Sequence, residues 1–131
     1  MLKNRLIPII ILKDDLIVQS FNFKRFLPIG KLKTAIDFFV NWDVDEIVIL
    51  DIDATKQDRR PKLDVIKRAS RECFVPLTIG GGIRSLSDIK DVLRAGADKI
   101  SINSYAVENP KFITDAAVRF GNQSITVSID A

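Results

Sequence analysis

The chain has 131 residues, 47% of them hydrophobic and 28% charged, a composition that is ordinary for one globular domain. The absence of histidine excludes Ser-His and Cys-His nucleophile pairs and His-ligated zinc, so any proton transfer falls to carboxylates or lysines. The net charge of +3 arises from 20 basic and 17 acidic residues spread along the chain, which predicts no nucleic-acid partner.

Two features concern the environment of the protein. The longest apolar run covers residues 6–12 and falls short of the ~18 residues that span a membrane, so we expect no membrane association. The single cysteine, Cys73, implies no disulfide framework and suits a reducing compartment. We therefore expect a cytoplasmic protein, with neither a metal nor a cofactor.

Short apolar runs rich in Ile and Val predict five strands that are buried on both faces, as in parallel sheets covered by helices. The runs cover residues 6–12, 47–50, 75–79, 100–102 and 125–129.

Four amphipathic segments between these runs predict helices. Pro61 opens the second helix, Ser85 with Asp88 three residues later opens the third, and Asn109 is a candidate cap of the fourth, which ends at Gly121. The predicted apolar stripes are Leu32, Ala35, Ile36, Phe39 and Val40; Leu63, Ile66, Ala69 and Cys73; Leu86, Ile89, Val92 and Leu93; and Phe112, Ile113, Ala116, Ala117 and Phe120.

The repeated strand-helix unit predicts a curling parallel sheet with its helices on one side, as in a barrel. A complete (β/α)8 barrel needs at least ~200 residues. We therefore predict an α/β fold of the TIM-barrel family, here one domain over residues 1–131 that forms a half barrel of five parallel strands and four helices. Such a half exposes a hydrophobic sheet edge and needs a second half to complete it.

The segment Gly80-Gly81-Gly82-Ile83-Arg84-Ser85 follows a predicted strand and precedes a predicted helix. Three glycines let backbone N–H groups approach an anion, and the helix N-terminus adds partial positive charge. A flexible turn explains the same residues equally well. Asn103 and Ser104, small donors after the next strand, favour a phosphate site.

Three aspartates follow predicted strands: Asp130, Asp51 and Asp53. Each is a candidate acid or base at the barrel mouth, and alternation places Asp51 and Asp53 on one face. The alternative is a carboxylate that caps backbone N–H groups of the next turn, at least as good an explanation for Asp53.

Residues 13–28 form a long predicted connection in which Phe21, Phe23 and Phe26 alternate with polar residues. A long loop at the active end of a barrel often covers substrate, although loop packing explains the aromatic residues as well. At the opposite end, Arg5, Glu46 and Lys99 stand near strand starts, where a salt-bridged plug is the ordinary explanation.

Taken together, these residues resemble, over the whole chain, the N-terminal half of the cyclase subunit (HisF) family of imidazole glycerol phosphate synthase. The matching segments are residues 1–5, 45–46, 50–52, 76–85, 94–104 and 129–131.

The resemblance implies a barrel that works with a glutaminase, passes ammonia through its interior and converts a phosphorylated ribosyl carboxamide at its top. It implies that Asp130 is a catalytic carboxylate, and that Asp98 faces the glutaminase. The implied phosphate ligands are Gly82, Asn103 and Ser104, and the implied ammonia gate is Arg5, Glu46 and Lys99.

Three departures from the family pattern concern the top of the barrel. The second catalytic aspartate of the family falls on Ile11, its loop lysine on Gln19, and its Gly-Arg pair on Asp15-Leu16. Isoleucine cannot transfer a proton, and losing one member of an acid-base pair costs about 10²- to 10⁴-fold in rate.

The chain also resembles a branch of this family in which a cyclase-like and a glutaminase-like protein assist amidation of a nucleotide-linked sugar for surface polysaccharides. The signals are the triple Ile9-Ile10-Ile11 and the loop at residues 19–25. This function is favoured over a cyclase of histidine biosynthesis. A non-catalytic half barrel that binds only a partner or ligand is a third hypothesis, and a phosphate-binding isomerase is a more remote one.

Overall fold

A computed structural model describes residues 3–22 and 24–130. Phe23 of the predicted loop, and Met1, Leu2 and Ala131 of the matched segments, lie outside the described residues. The described chain folds into one seven-stranded sheet, in the order β3-β2-β1-β4-β5-β6-β7, with helices in its crossovers.

The strands alternate with helices after an initial hairpin. The strands are β1 (Ile9–Lys13), β2 (Leu16–Phe21), β3 (Arg25–Gly30), β4 (Ile47–Asp51), β5 (Leu77–Gly80), β6 (Lys99–Ile102) and β7 (Ile125–Val127). The helices are α1 (Leu32–Asn41), α2 (Leu63–Glu72), α3 (Leu86–Arg94), α4 (Ser104–Glu108) and α5 (Pro110–Phe120), and a 3-10 turn covers Asn122–Ser124.

The prediction of five parallel strands is confirmed for β1, β4, β5, β6 and β7, which pair in parallel. The fold is therefore an open half barrel of the TIM-barrel type. Among the α-helices of the described residues, only α4, a short helix after β6, lies outside the four predicted helical segments.

The connection predicted at residues 13–28 is wrong as a loop, because most of it forms the antiparallel hairpin β2–β3. Asp14 and Asp15 turn the chain between β1 and β2 with φ of 50° and 61°. Positive φ at both central residues is what a two-residue hairpin turn of type I′ requires, and aspartate tolerates it. The hairpin extends the sheet beyond β1 and places β3 at one edge.

The core lies between the sheet and the helices. Isoleucines at one register level form a row across all five parallel strands: Ile10, Ile49, Ile79, Ile100 and Ile125. The first four are buried, and each burial contributes about 1.5–3 kcal/mol relative to exposure. Side chains alternate along a strand, so the residues directly before and after each of these isoleucines point to the other face of the sheet, which is the barrel interior.

The predicted helix starts are partly correct. Ser85 and Asp88 form a complete capping box at the start of α3. Pro61 does not open α2, which begins two residues later at Leu63. Asn109 precedes α5, but its side chain makes no capping hydrogen bond, and Pro110 takes the first helical position.

Cys73 lies immediately after α2, half-buried and packed against the core, as expected for a structural residue. Burial raises the pKa of its thiol above the usual value. Among the described residues, no helix has the length and apolar character needed to cross a bilayer.

Candidate functional site

The glycine turn after β5 packs closely against the backbone at the end of β4 and after it. Gly81 and Gly82 have φ of 106° and 72°, which side chains other than glycine rarely adopt. A Cβ on Gly81 would lie 2.2 Å from the carbonyl oxygen of Asp51, and one on Gly82 would lie 2.6 Å from that of Arg59. Both positions therefore require glycine, and the turn packs against the last residue of β4 and the connection that follows it.

The partial positive charge at the N-terminus of α3 is already offset by a carboxylate of the same helix. Asp88 Oδ2 accepts hydrogen bonds of 3.1 Å from the backbone N–H groups of Arg84 and Ser85. Arg60 Nε donates to Asp88 Oδ1 at 2.5 Å. Burial alone would raise the pKa of Asp88, but these hydrogen bonds outweigh it and lower the pKa. The expectation that this helix end offers its positive charge to an anion is therefore weakened.

The connection after β6 brings Asn103 and Ser104 beside the glycine turn. Both are exposed, and Ser104 is the first residue of α4. Asn103 Nδ2 donates a hydrogen bond of 2.8 Å to Asp130 Oδ2 after β7. A predicted phosphate ligand and the predicted catalytic carboxylate therefore contact each other directly.

These residues surround an open pocket of about 80 Å³ at the C-terminal ends of β5 and β6. Gly82, Asn103 and Ser104 all line it, so three residues singled out from sequence are brought together. The lining residues are Leu50, Thr55, Gly81, Gly82, Ile83, Arg84, Ser101, Ile102, Asn103, Ser104, Tyr105, Glu108 and Ser128. Asp130 adjoins the pocket through Asn103.

Arg84 is a pocket residue to which the sequence pattern assigned no role. Its side chain forms an ion pair with Asp58 and donates to the carbonyl oxygen of Thr55 at 3.4 Å. The available signal was its position directly after the glycine turn.

Asp51 does not stand free as an acid or base. Arg59 Nη2 donates to both of its carboxylate oxygens, at 2.9 and 2.8 Å. Asp51 Oδ1 also accepts from the backbone N–H groups of Asp53 and Ala54, at 3.1 and 3.2 Å. Capping of the next turn, the alternative that the sequence left open for each of these aspartates, is thus the role of Asp51.

Asp53 is buried and serves the β1–β2 turn instead. Its carboxylate accepts from Lys13 Nζ at 3.2 Å and from the backbone N–H of Asp14 at 3.0 Å. Burial would raise its pKa, but the lysine and the amide together lower it. A carboxylate held this way is a structural tie between the hairpin and the connection after β4.

A second polar cluster lies at the opposite end of the strands. Glu46 is 7% exposed and accepts from Arg5 Nη1 at 2.7 Å. Lys99 Nζ donates to both oxygens of Glu46, at 2.9 and 3.1 Å. The three residues that the sequence places near strand starts therefore form one ion-paired cluster.

Asp98 lies beside this cluster, immediately before β6. Its side chain accepts a hydrogen bond of 2.8 Å from the backbone N–H of Leu77, and its own N–H donates to the carbonyl oxygen of Leu77 at 2.8 Å. The side chain remains exposed at this end of the sheet.

The positions that depart from the family pattern lie on β1 and the hairpin. Ile11 pairs with Leu50 of β4 on the inner face of the sheet, and both are half-buried. Gln19 pairs with Leu27 in the hairpin. Asp15 forms an ion pair of 2.7 Å with Lys62. The inner face of β1 thus presents an aliphatic side chain near the barrel mouth.

Fold and sites together define a parallel α/β half barrel with a small polar pocket at one end of its strands and, at the other end, an ion-paired cluster around the buried Glu46. A family model described as histidine biosynthesis protein matches residues 5–131, and the chain belongs to that family as a HisF-like member. In the described part of the chain, no group of three or more Cys, Asp or Glu residues could hold a metal ion.

Three relatives illustrate this membership. A Vibrio vulnificus protein with the provisional name imidazole glycerol phosphate synthase subunit hisF2 is 61% identical over 131 residues. A Campylobacter jejuni protein with the same provisional name is 49% identical over 130 residues. The imidazole glycerol phosphate synthase subunit HisF of an Exiguobacterium species is 45% identical over 130 residues.

These matches cover 99–100% of the chain but only 48%, 52% and 51% of the respective relatives. The chain therefore spans about half the length of the relatives that it matches.

Proposed function

We propose that residues 1–131 form the N-terminal half of a HisF-type barrel that a second half completes. The barrel binds a phosphorylated sugar or nucleotide-derived substrate at the C-terminal ends of its strands. It receives ammonia from a glutaminase at the opposite end, and it supports amidation of a nucleotide-linked sugar in surface-polysaccharide biosynthesis.

The observation that carries this proposal is Ile11 on the inner face of β1, paired with Leu50. The family pattern has a catalytic aspartate at this position, opposite the carboxylate that falls on Asp130. An aliphatic side chain can neither donate nor accept a proton. The ring-closing reaction of the family therefore lacks half of its acid-base pair, whereas the pocket beside it keeps its polar residues.

Substrate binding is assigned to the residues that converge on the pocket. Gly82 has no side chain that would keep a ligand from its backbone, and Asn103 and Ser104 offer exposed polar groups. Small donors from neighbouring turns are a common way to hold one phosphate at this end of a barrel. Asp130, beside Asn103, is the carboxylate that remains for chemistry.

Ammonia entry is assigned to the cluster at the other end. Glu46 forms ion pairs with Arg5 and Lys99 at the strand starts. In the completed barrel this cluster would be the gate, and movement of either cation would open it. Asp98 lies on the same end with its side chain exposed, so it is available to a glutaminase docked there.

The names of the relatives all refer to imidazole glycerol phosphate synthase, so they support a HisF-type barrel rather than the amidation reaction itself, and they favour one alternative. Two of them, at 61% and 49% identity, carry the hisF2 name rather than the HisF name. The HisF protein at 45% identity favours a true cyclase subunit of histidine biosynthesis as the second candidate. The two candidates differ on one observable, which is turnover of the cyclase substrate by the unaltered barrel.

The test follows nitrogen in a mixture of the complete protein, its glutaminase and the amidotransferase that would add the nitrogen to the nucleotide-linked sugar. With glutamine labelled with 15N in its amide, we expect the label in the nucleotide-linked sugar, and we expect Asp98→Lys to reduce transfer. Asp64→Lys, an exposed aspartate on α2, is the matched control. Glutaminase association without transfer would contradict the proposal and favour a half barrel that only binds its partner.

A further inference from the structure

The pocket that the proposed function assigns to phosphate has little positive charge of its own. Among the described residues that line it, Arg84 is the sole basic side chain, and Glu108 is the sole acidic one. The α3 N-terminus offers little compensation, because Asp88 already accepts from the N–H groups of Arg84 and Ser85. A dianion in this pocket therefore depends on the guanidinium of Arg84 for positive charge.

In the structure, that guanidinium is engaged by the connection between β4 and α2. Nη1 pairs with Asp58, and Nη2 donates to the carbonyl oxygen of Thr55, which itself lines the pocket. A guanidinium carries five N–H donors, so these two contacts leave others for a ligand.

The ion pair between Asp58 and Arg84 is easily replaced by a pair between Arg84 and a bound anion. The side chain of Asp58 is 84% exposed and that of Arg84 is 41% exposed, and ion pairs between exposed groups contribute little stability. A phosphate offers the guanidinium two oxygens and a greater charge, so its pairing with arginine is the stronger one. An anion in the pocket can therefore take the guanidinium from Asp58 at small cost.

We propose that Arg84 is a ligand of the anion bound in this pocket and that Asp58 is its counter-ion in the empty site, displaced when the anion binds. This inference rests on the proposed phosphate site and adds two residues to it. It makes Asp58 a residue that sets the affinity of the pocket without contacting the ligand.

The test is calorimetric titration of inorganic phosphate into the complete protein and its variants. Arg84→Gln should weaken binding by roughly tenfold to a hundredfold, the worth of a hydrogen bond to a charged group. Asp58→Asn should strengthen binding by roughly two- to fivefold, because the competing surface ion pair is removed. In the Arg84→Gln background, Asp58→Asn should no longer strengthen binding.

Two matched controls carry the same charge changes away from the pocket. Arg94→Gln removes an arginine from the last turn of the same helix. Asp43→Asn alters an aspartate in a turn after α1 with a φ of 53°, close to the 49° of Asp58. Neither control should change the affinity by more than about twofold.

The outcomes separate this inference from the proposed function. Asn103→Asp places a negative charge in the pocket and should abolish the binding. If it does so while Arg84→Gln behaves like Arg94→Gln, the role of Arg84 is overturned and the phosphate site stands. If the unaltered protein binds no phosphate, or Asn103→Asp leaves its binding unchanged, both are overturned.

Discussion

Asn103 donates a 2.8 Å hydrogen bond from its side-chain amide to the carboxylate of Asp130, which joins the end of β6 to the residues after β7. The proposed phosphate ligand and the proposed catalytic carboxylate are thus one unit. We expect Asn103→Ala to lower phosphate affinity by roughly tenfold, the worth of one hydrogen bond to a charged group.

Asp130→Ala is the companion variant, because it removes the partner of Asn103 but no proposed ligand. We expect it to change phosphate affinity by less than about threefold, a small fraction of one hydrogen bond to a charged group. Both affinities are measured by the same phosphate titration. Equal losses in the two variants would mean that Asp130, too, holds the ligand.

The glycine turn should tolerate no side chain. Gly82→Ala places a Cβ 2.6 Å from a backbone oxygen at a φ of 72°, so we expect a loss of about 2–4 kcal/mol in the free energy of unfolding. Gly30→Ala is the matched control, because a Cβ at that position would have nothing within 4 Å of it. Denaturant unfolding of the complete protein measures both. A Gly82→Ala protein as stable as the control would contradict this backbone geometry.

Asp88 should make stability depend on acid pH. Its pKa is lowered, so its contribution is fully present above the ordinary value of 3.8 and is lost as the pH falls through the lowered value. We expect Asp88→Asn to cost about 1–3 kcal/mol near neutral pH and clearly less near pH 2. Denaturant unfolding at both pH values measures the difference.

The exposed Asp64 on α2 provides the control for Asp88. Asp64→Asn should stay within about 0.5 kcal/mol at either pH. A cost of Asp88→Asn that stays constant with pH would show that the carboxylate charge contributes nothing at the start of α3.

The cluster at the strand starts should be more costly to disturb than a surface ion pair. Glu46→Gln leaves Arg5 and Lys99 side by side without their shared carboxylate, and we expect a loss of about 1–3 kcal/mol. Glu72→Gln breaks a surface pair with Lys33 of similar length, 2.8 Å, and should cost less than about 1 kcal/mol. Thermal unfolding compares them, and equal losses would mean that burial adds nothing at Glu46.

Periodicity predicted most of the architecture because a strand buried on both faces and a helix buried on one face each leave a local hydrophobic pattern in the sequence, although the strands themselves pair over long sequence separations. The hairpin was missed for a local reason. Pro28 and the polar residues Asn22, Lys24 and Arg25 are typical of a loop, yet proline is tolerated in an edge strand such as β3. The signal that was present is Asp14-Asp15 between two apolar runs, a pair that permits a tight hairpin turn.

The sequence predicted the parts of the candidate site that the backbone positions. It did not predict the contacts that long side chains make. Gly82, Asn103 and Ser104 converge because the ends of neighbouring parallel strands meet. In contrast, the reach of Arg59 to Asp51 and of Lys13 to Asp53 depends on side-chain directions that no spacing rule supplies. Those cations turn two candidate acids into structural residues.

Ile11 offers the most direct test of whether this barrel has lost the cyclase reaction. The measurement is ammonia-dependent turnover of the phosphorylated ribosyl carboxamide substrate by the complete protein, with Ile11→Asp beside it and Ile11→Asn as the control without a titrating group. We predict no turnover by the unaltered protein or by Ile11→Asn, and turnover by Ile11→Asp. Turnover by the unaltered protein would contradict the account and identify a cyclase of histidine biosynthesis.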